Sequence, residues 1–344
     1  MKELRMIVAG GGTGGHFFCG VAFAEAFLER YPQSKVVFVG VRQGIEARTH
    51  LSDPRMSIRF VQARGVLGKS VFDKVFALFT ILGGFFQALG ILWSVRPRLV
   101  LGVGGYASVP VILAAWMTRP LMRWNIRVID QNSVPGLANR LFARLGIPAY
   151  SGFASPGFRE IDLPVRRALR RPQEGARDFV WPPKNILVMG GSQGAKALNQ
   201  AWIRLLPDLR NFDPDIQVFH QTGAHSLENC RSAYENFQIR AECFVFSDKM
   251  ADYYQAADLI IARAGALSVF EIMEHQRPCI FVPFPFATHQ HQLRNAEAVQ
   301  SSDWILLETD LKWSKLERLF NSDRPKLPKR RQGVGLQWES VIQA

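Results

Sequence analysis

Short apolar runs that end in glycine and open onto helical stretches are the feature that most constrains this chain. They read "RMIVA", "KVVFVG", "RLVLGVG" and "IRVID", then "KNILVMGG", "IQVFHQTG", "CFVFS", "LIIARAG" and "CIFVPFP". Continuous apolar runs of this length suit strands buried on both faces, and their alternation with helical segments predicts doubly wound α/β layers with parallel sheets. The first and fifth runs lead alike into glycine loops, "GGGTGGH" at Gly10 to His16 and "GGSQGA" from Gly190. Two such half-sequences in 344 residues predict two Rossmann-like domains facing a central cleft. The basic, proline-containing stretch Leu163 to Lys184 marks the boundary, which gives domains 1–162 and 163–336. "RPKLPKRR" then reads as a basic linker, and residues 337–344 as a short terminal helix that returns to the first domain.

Lys and Arg outnumber Asp and Glu by 42 to 29, a balance that favours phosphorylated substrates, anionic lipid or nucleic acid. The cysteines, Cys19, Cys230, Cys243 and Cys279, have no framework spacing and read as reduced thiols. "MKELRMIVAGGG" lacks a signal-peptide core, so a cytosolic chain is expected. Against this, Val75 to Trp93 runs uncharged for nineteen residues, the length of a spanning helix. Gly83, Gly84, Gly90 and Gln87 weaken that reading, and a crossover helix packed on a sheet is equally apolar. Lys69, Lys74, Arg96 and Arg98 flank the run, which suits a helix that dips into an anionic membrane surface.

A glycine loop between strand and helix gathers backbone N–H groups and a helix N-terminus around an anion. "GGGTGGH" also satisfies the dinucleotide fingerprint, but the next strand ends "VFVGVRQG" without the acid that would hold a ribose. NAD is disfavoured, and Arg42 leaves only a route to NADP. The loop at Gly102, Gly104 and Gly105 fits either close strand-to-helix packing or phosphate binding, with Pro110 in a first helical turn. "GGSQGAKALNQ" reads as a diphosphate site. Ser268 and Glu271 have capping-box spacing, although Glu271 could hold a ribose instead. "HQHQLRN" gathers His289, Gln290, His291, Gln292 and Asn295; without a third ligand they suit sugar hydroxyls better than metal. Asp130, Gln131 and Asn132 follow a strand, with no DxD pair there of the kind that holds a metal-bound diphosphate. Helix dipoles and cationic side chains would replace the metal.

"GGGTGGH", "GVGGYASVP", "DQNSVPGLANR", "VMGGSQGA", "ARAGALSVFEI" and "PFPFATHQHQLRNAEAV", in this order and spacing, resemble the MurG family of peptidoglycan N-acetylglucosaminyltransferases from residue 4 to about 310. The resemblance implies a GT-B fold and inverting transfer of GlcNAc from UDP-GlcNAc to the C4 hydroxyl of MurNAc in lipid I. It implies no cofactor or metal, a peripheral position at the cytoplasmic face of the membrane, cell-wall synthesis and division proteins as partners, and no nucleic acid. A related GT-B enzyme with another lipid or soluble acceptor, and a basic nucleotide-binding protein, are the competing readings.

Residue by residue, the resemblance makes His16 the group that polarises or deprotonates the attacking hydroxyl and puts Asn132 near the reacting centre. Gly12, Thr13, Gly14, Gly104, Gly105 and Tyr106 would form the acceptor diphosphate loops. Donor contacts would come from Thr13, Gly14, Gly15, Asn132, Arg166, Ser192, Gln193 and Gly194. Around uracil and ribose they would come from Phe246, Ser247, Met250, Arg263, Ala266, Leu267, Ser268 and Glu271, and around the sugar from His291, Gln292 and Asn295. Under the resemblance Glu271 holds the ribose rather than capping a helix. Lys69, Phe72, Lys74, Phe76, Phe79 and Phe86 would meet the bilayer. The chain departs from the family where "HEQN" becomes "IDQN" and "DDHQ" becomes "HQHQ", which leaves Asp130, His289 and Gln290 without a family role.

Overall fold

The computed structural model describes residues 3–64, 71–122, 124–172, 177–191, 194–284, 290–300, 304–327 and 338–343, with only the backbone course given for 71–78. The chain divides into two compact units, Met1–Arg166 with Gly333–Ala344, and Arg167–Gln332.

In the first unit β1 (Arg5–Ala9), α1 (Gly14–Arg30), β2 (Lys35–Gly40), β3 (Met56–Phe60) and α2 (Val71–Val95) are followed by β4 (Leu99–Gly102) and α3 (Ser108–Met122). β5 (Asn125–Asp130), α4 (Leu137–Arg144), β6 (Ala149–Ser151) and β7 (Arg159–Glu160) complete it. Its sheet is parallel throughout, in the order β3-β2-β1-β4-β5-β6-β7. At the centre β4 is buried throughout and β1 from Met6 to Ala9, as their apolar sequences require. The strand order reverses between β1 and β4, so the glycine loops that leave these two strands lie side by side.

The second unit runs β8 (Asn185–Met189), α5 (Lys196–Ile203), α6 (Leu206–Phe212), β9 (Gln217–Gln221), α7 (Leu227–Asn236), β10 (Arg240–Phe244), α8 (Met250–Ala256) and β11 (Leu259–Ala262). It ends with α9 (Ala266–His275), β12 (Cys279–Phe281), α10 (His291–Val299), β13 (Ile305–Leu307) and α11 (Trp313–Phe320). The parallel order β10-β9-β8-β11-β12-β13 repeats the arrangement, with its reversal between β8 and β11. β3 alternates in burial, and β6, β7 and β13 are only two or three residues long; the sequence runs did not reveal them.

The glycines do not interrupt α2, which continues through Gly83, Gly84 and Gly90. Gly84 is required because a Cβ there would lie 1.9 Å from the Gln62 carbonyl oxygen. Ala88, Leu92 and Val95 are buried, while Phe79 (67% exposed), Leu82, Phe86 (64%) and Trp93 form the other face. Among the described residues no helix is long and apolar enough to cross a membrane.

At the C-terminus the expected helix is a single 3-10 turn, Trp338–Ser340. Val341 and Ile342 behind it are fully buried, and Arg127 donates to the carbonyls of Ser340, at 2.8 Å, and Val341. The basic stretch after Arg166 is anchored within the second unit. The buried Asp258 carboxylate accepts N–H bonds from Val180, Lys184 and Asn185 and pairs with Arg177 at 3.0 Å. Buried Arg277 donates to the carbonyls of Arg177, Gln255 and Tyr254. Its desolvation, with Arg171 and Arg177 nearby, brings its pKa down to about 10.

Candidate active site

The first loop begins where β1 ends. Gly10, Gly11 and Gly12 all have positive φ, and a Cβ on Gly10 would lie 2.7 Å from the Gly104 carbonyl oxygen of the second loop. α1 starts at Gly14, well before the apolar stretch from Val21 that signals a helix, so His16 lies in its first turn. Thr13 is the N-cap residue, but its hydroxyl makes no capping bond and lies 2.8 Å from His16 Nδ1. The imidazole rests on the second loop: a Cβ on Gly104 would lie 2.8 Å from His16 Cδ2 and 3.0 Å from Nε2. Tyr106 covers Gly12, with its ring 3.1 Å from the position of a Cβ there. The second loop therefore both packs against α1 and forms one wall of the first loop.

The acid that the sequence reading sought at the end of β2 stands further on, at Glu46 in the 3-10 turn Ile45–Ala47. It is 1% exposed and lies beneath the first loop, where its carboxylate accepts the N–H of Val41 at 2.7 Å and of Gly12 at 3.0 Å. The Gly12 N–H proposed for phosphate is thus already engaged. Burial and then the Glu46 charge push the Tyr106 phenol up. The only sequence signal was an acid just after "RQGI", outside the fingerprint position.

Asp130, where the family carries a longer acid, is a local organiser. Oδ1 accepts the Asn132 N–H at 3.1 Å; Oδ2 accepts the Gly136 N–H at 2.7 Å and the Asn139 side-chain N–H at 2.9 Å. Ile129 belongs to the core. Arg166 falls with the first unit and stacks its guanidinium on Phe18 of α1, 4.2 Å from the ring centroid.

In the second unit the loop after β8 is described at Gly190, Gly191 and Gly194; Ser192 and Gln193 lie outside the described residues. Gly191 and Gly194 have positive φ, and a Cβ on Gly194 would lie 2.4 Å from the Thr222 carbonyl oxygen. That carbonyl accepts from Asn199 Nδ2 at 2.8 Å, which leaves Asn199 Oδ1 to accept from His220 Nε2 at 3.1 Å. His220 is consequently protonated at Nε2, and Nδ1 accepts from the Tyr234 hydroxyl, itself an acceptor from Trp202 Nε1. Burial holds this imidazole neutral, with its pKa down to about 3. A satisfied buried chain thus backs the glycine loop after β8, and no local motif signals it.

α9 begins at Ala266 with Gly265 as its N-cap and no side-chain capping bond. Ser268 lies inside the first turn, so the capping-box reading is incorrect; "RAGA" starts the helix before Ser268 can cap it. Glu271 instead accepts the Tyr254 hydroxyl at 2.9 Å. Arg263 is buried and donates to the carbonyls of Val282 and Pro283, both at 2.8 Å, pinning the exit of β12. Ala266 is buried, Leu267 half-buried, and Met250 is buried at the start of α8. Phe246 is exposed, and Ser247 Oγ accepts the Lys249 N–H. On α10, His291 is half-buried in the first turn, Gln292 accepts the Phe284 N–H, and Asn295 donates to the Ala264 carbonyl. His289 and Lys69 lie outside the described residues, as do the side chains of Phe72, Lys74 and Phe76.

Both units thus put glycine loops and helix N-termini at the C-terminal ends of parallel strands, on either side of a strand-order reversal. Paired Rossmann-like units of this kind are the GT-B fold class, on which nucleotide-sugar glycosyltransferases are built. Two family models match accordingly: the glycosyltransferase family 28 N-terminal domain over residues 6–146 and its C-terminal domain over 185–331. A protein from Pelobacter propionicus named UDP-N-acetylglucosamine--N-acetylmuramyl-(pentapeptide) pyrophosphoryl-undecaprenol N-acetylglucosamine transferase is 37% identical, covering 92% of this chain and 90% of its own. One of the same name from Geobacter metallireducens is 38% identical, over 90% and 86%. The crystal structure of Acinetobacter baumannii MurG matches with a TM-score of 0.70 at 30% identity, covering 93% of this chain and 90% of its own. The chain belongs to the MurG family of glycosyltransferases.

Proposed function

We propose that this enzyme transfers GlcNAc from UDP-GlcNAc to the C4 hydroxyl of MurNAc on pentapeptide-bearing diphosphoundecaprenol, with inversion at the anomeric carbon. The observation that carries this reading is the likeness, over nine-tenths of the chain, to transferases named for that reaction. The geometry supports it. His16 follows the first glycine loop and packs on the second, the two loops proposed for the acceptor, and in this reading it takes the hydroxyl proton as the oxygen attacks. UDP leaves with charge growing on its diphosphate, and the glycine loop ahead of α5 would stabilise that charge. The proposed mechanism needs no metal. Glu271 holds the donor ribose through its hydroxyls.

Membrane contact through the exposed face of α2, continued by Met117 and Leu121 (80% exposed) on α3, is part of the same proposal, with Arg96 and Arg98 exposed beside it. The enzyme would work as a peripheral protein of the cytoplasmic face, alongside other cell-wall synthesis and division proteins. Purified protein incubated with labelled UDP-GlcNAc and a short-chain lipid I analogue, with and without EDTA, tests the reading. Transfer that survives EDTA is expected. Donor binding without transfer would point to another acceptor, and no donor binding would overturn the reading.

A further inference from the structure

The segment after β5 folds around the Asp130 carboxylate, and one neighbour is left out of that network. Gln131 is 4% exposed, and its Oε1 has no hydrogen-bond partner among the described residues. Its Nε2 lies 3.6 Å from where a Cβ would stand on Gly15, the residue before His16. A buried amide oxygen without a donor is costly, and native proteins rarely keep one without a use. Asn139 repeats the pattern beside the second loop. It is 1% exposed, its Nδ2 is engaged by Ile129 and Asp130, and its Oδ1 has no partner among the described residues.

We propose that Gln131 contacts the acceptor sugar directly, its side-chain amide bonding to a neutral hydroxyl or acetamido group beside the first turn of α1. The inference rests on the reading of the N-terminal loops as the acceptor site. Diphosphate is the wrong partner for Oε1: ionised phosphate oxygens carry no proton to donate and would repel a carbonyl oxygen. A sugar O–H or amide N–H supplies the missing proton, and the Nε2 end can return a hydrogen bond to the same group. The arrangement orients the sugar next to His16, which backbone N–H groups at the glycine loops cannot do by charge alone.

Gln131→Met tests this, because methionine keeps the length and removes the amide. Its melting temperature should equal or exceed that of the parent, since the lost amide oxygen had no partner to lose. With a lipid I analogue, kcat/KM for the acceptor should fall about tenfold, the worth of one neutral hydrogen bond, while KM for UDP-GlcNAc is unchanged. Unaltered acceptor kinetics would overturn the proposal. So would a lowered melting temperature with equal losses for both substrates, which marks a structural residue, or a rise confined to the UDP-GlcNAc KM, which marks a donor residue. A parent enzyme that transfers GlcNAc to no acceptor overturns the functional reading and this inference with it. An active parent with an unaffected variant overturns the inference alone.

Discussion

The Thr13 hydroxyl lies 2.8 Å from Nδ1 of His16, one helical turn away on α1. A neutral imidazole acts as a base only through its unprotonated nitrogen, so with Thr13 as acceptor for Nδ1–H the basic nitrogen would be Nε2. His16→Ala should lower kcat by roughly 10²–10⁴-fold with little change in UDP-GlcNAc KM. Thr13→Val should lower kcat less, and Thr13→Ser should restore it. Steady-state kinetics on the three variants decide this, and unchanged turnover in His16→Ala would remove the histidine from the chemistry.

Glu46 holds the first loop in shape through the Gly12 and Val41 N–H groups. Glu46→Ala leaves both donors buried without an acceptor, so a loss of about 2–4 kcal/mol is expected by urea titration. Glu46→Gln retains an acceptor oxygen and should lose less. Equal stability of Glu46→Ala and the parent would show that the carboxylate does not shape the loop.

Burial lowers the His220 pKa to about 3 and the His275 pKa to about 4, against an ordinary value near 6.5. Between those limits the unfolded chain binds protons that the folded chain does not. The stability they contribute is therefore complete above about pH 6.5 and lost as pH falls toward 3 to 4. The slope should approach about 1.4 kcal/mol per pH unit for each histidine. Urea midpoints at pH 7.5, 6 and 5 measure it, and His220→Gln should flatten the dependence. An unchanged slope in that variant would mean that another group governs it.

Asp258 fastens the connecting stretch to the second unit with backbone N–H bonds and the Arg177 ion pair. Asp258→Ala should cost about 2–4 kcal/mol, because it leaves the Val180, Lys184 and Asn185 N–H groups without their acceptor, while the exposed Arg177 guanidinium remains hydrated. Thermal denaturation compared with the parent checks this; a shift under a degree would assign the anchoring elsewhere.

Glu271 does not cap α9 but accepts the buried Tyr254 hydroxyl, so Glu271→Ala should cost about 1–3 kcal/mol of stability and raise the UDP-GlcNAc KM by an order of magnitude or more. Stability and KM measured on one preparation separate the two roles. A destabilised variant with an unchanged KM would restore a structural role.

The layered α/β fold, its doubling and the family were legible in the residues, because buried parallel strands need unbroken apolar runs and close loop turns need glycine at fixed places. The sequence also supplied His16, Asn132 and Glu271 as candidates, since their motifs are local. Tertiary structure alone decided what depends on distant partners. Glu46 is just an acid near a turn until β1 and β2 bring it beneath Gly12, and Asp130 is a departure from the family until Gly136 and Asn139 return to its carboxylate. Ser268 has capping spacing, yet the helix starts at Ala266 because Gly265 already supplies the turn. His220 reads as one residue of an apolar strand; only packing α5 and α7 onto β9 gives it Asn199 and Tyr234 and fixes its proton. Hydrogen bonds between residues far apart in the chain leave no periodicity to read, so the charge state and free valences of the site are properties of the folded protein.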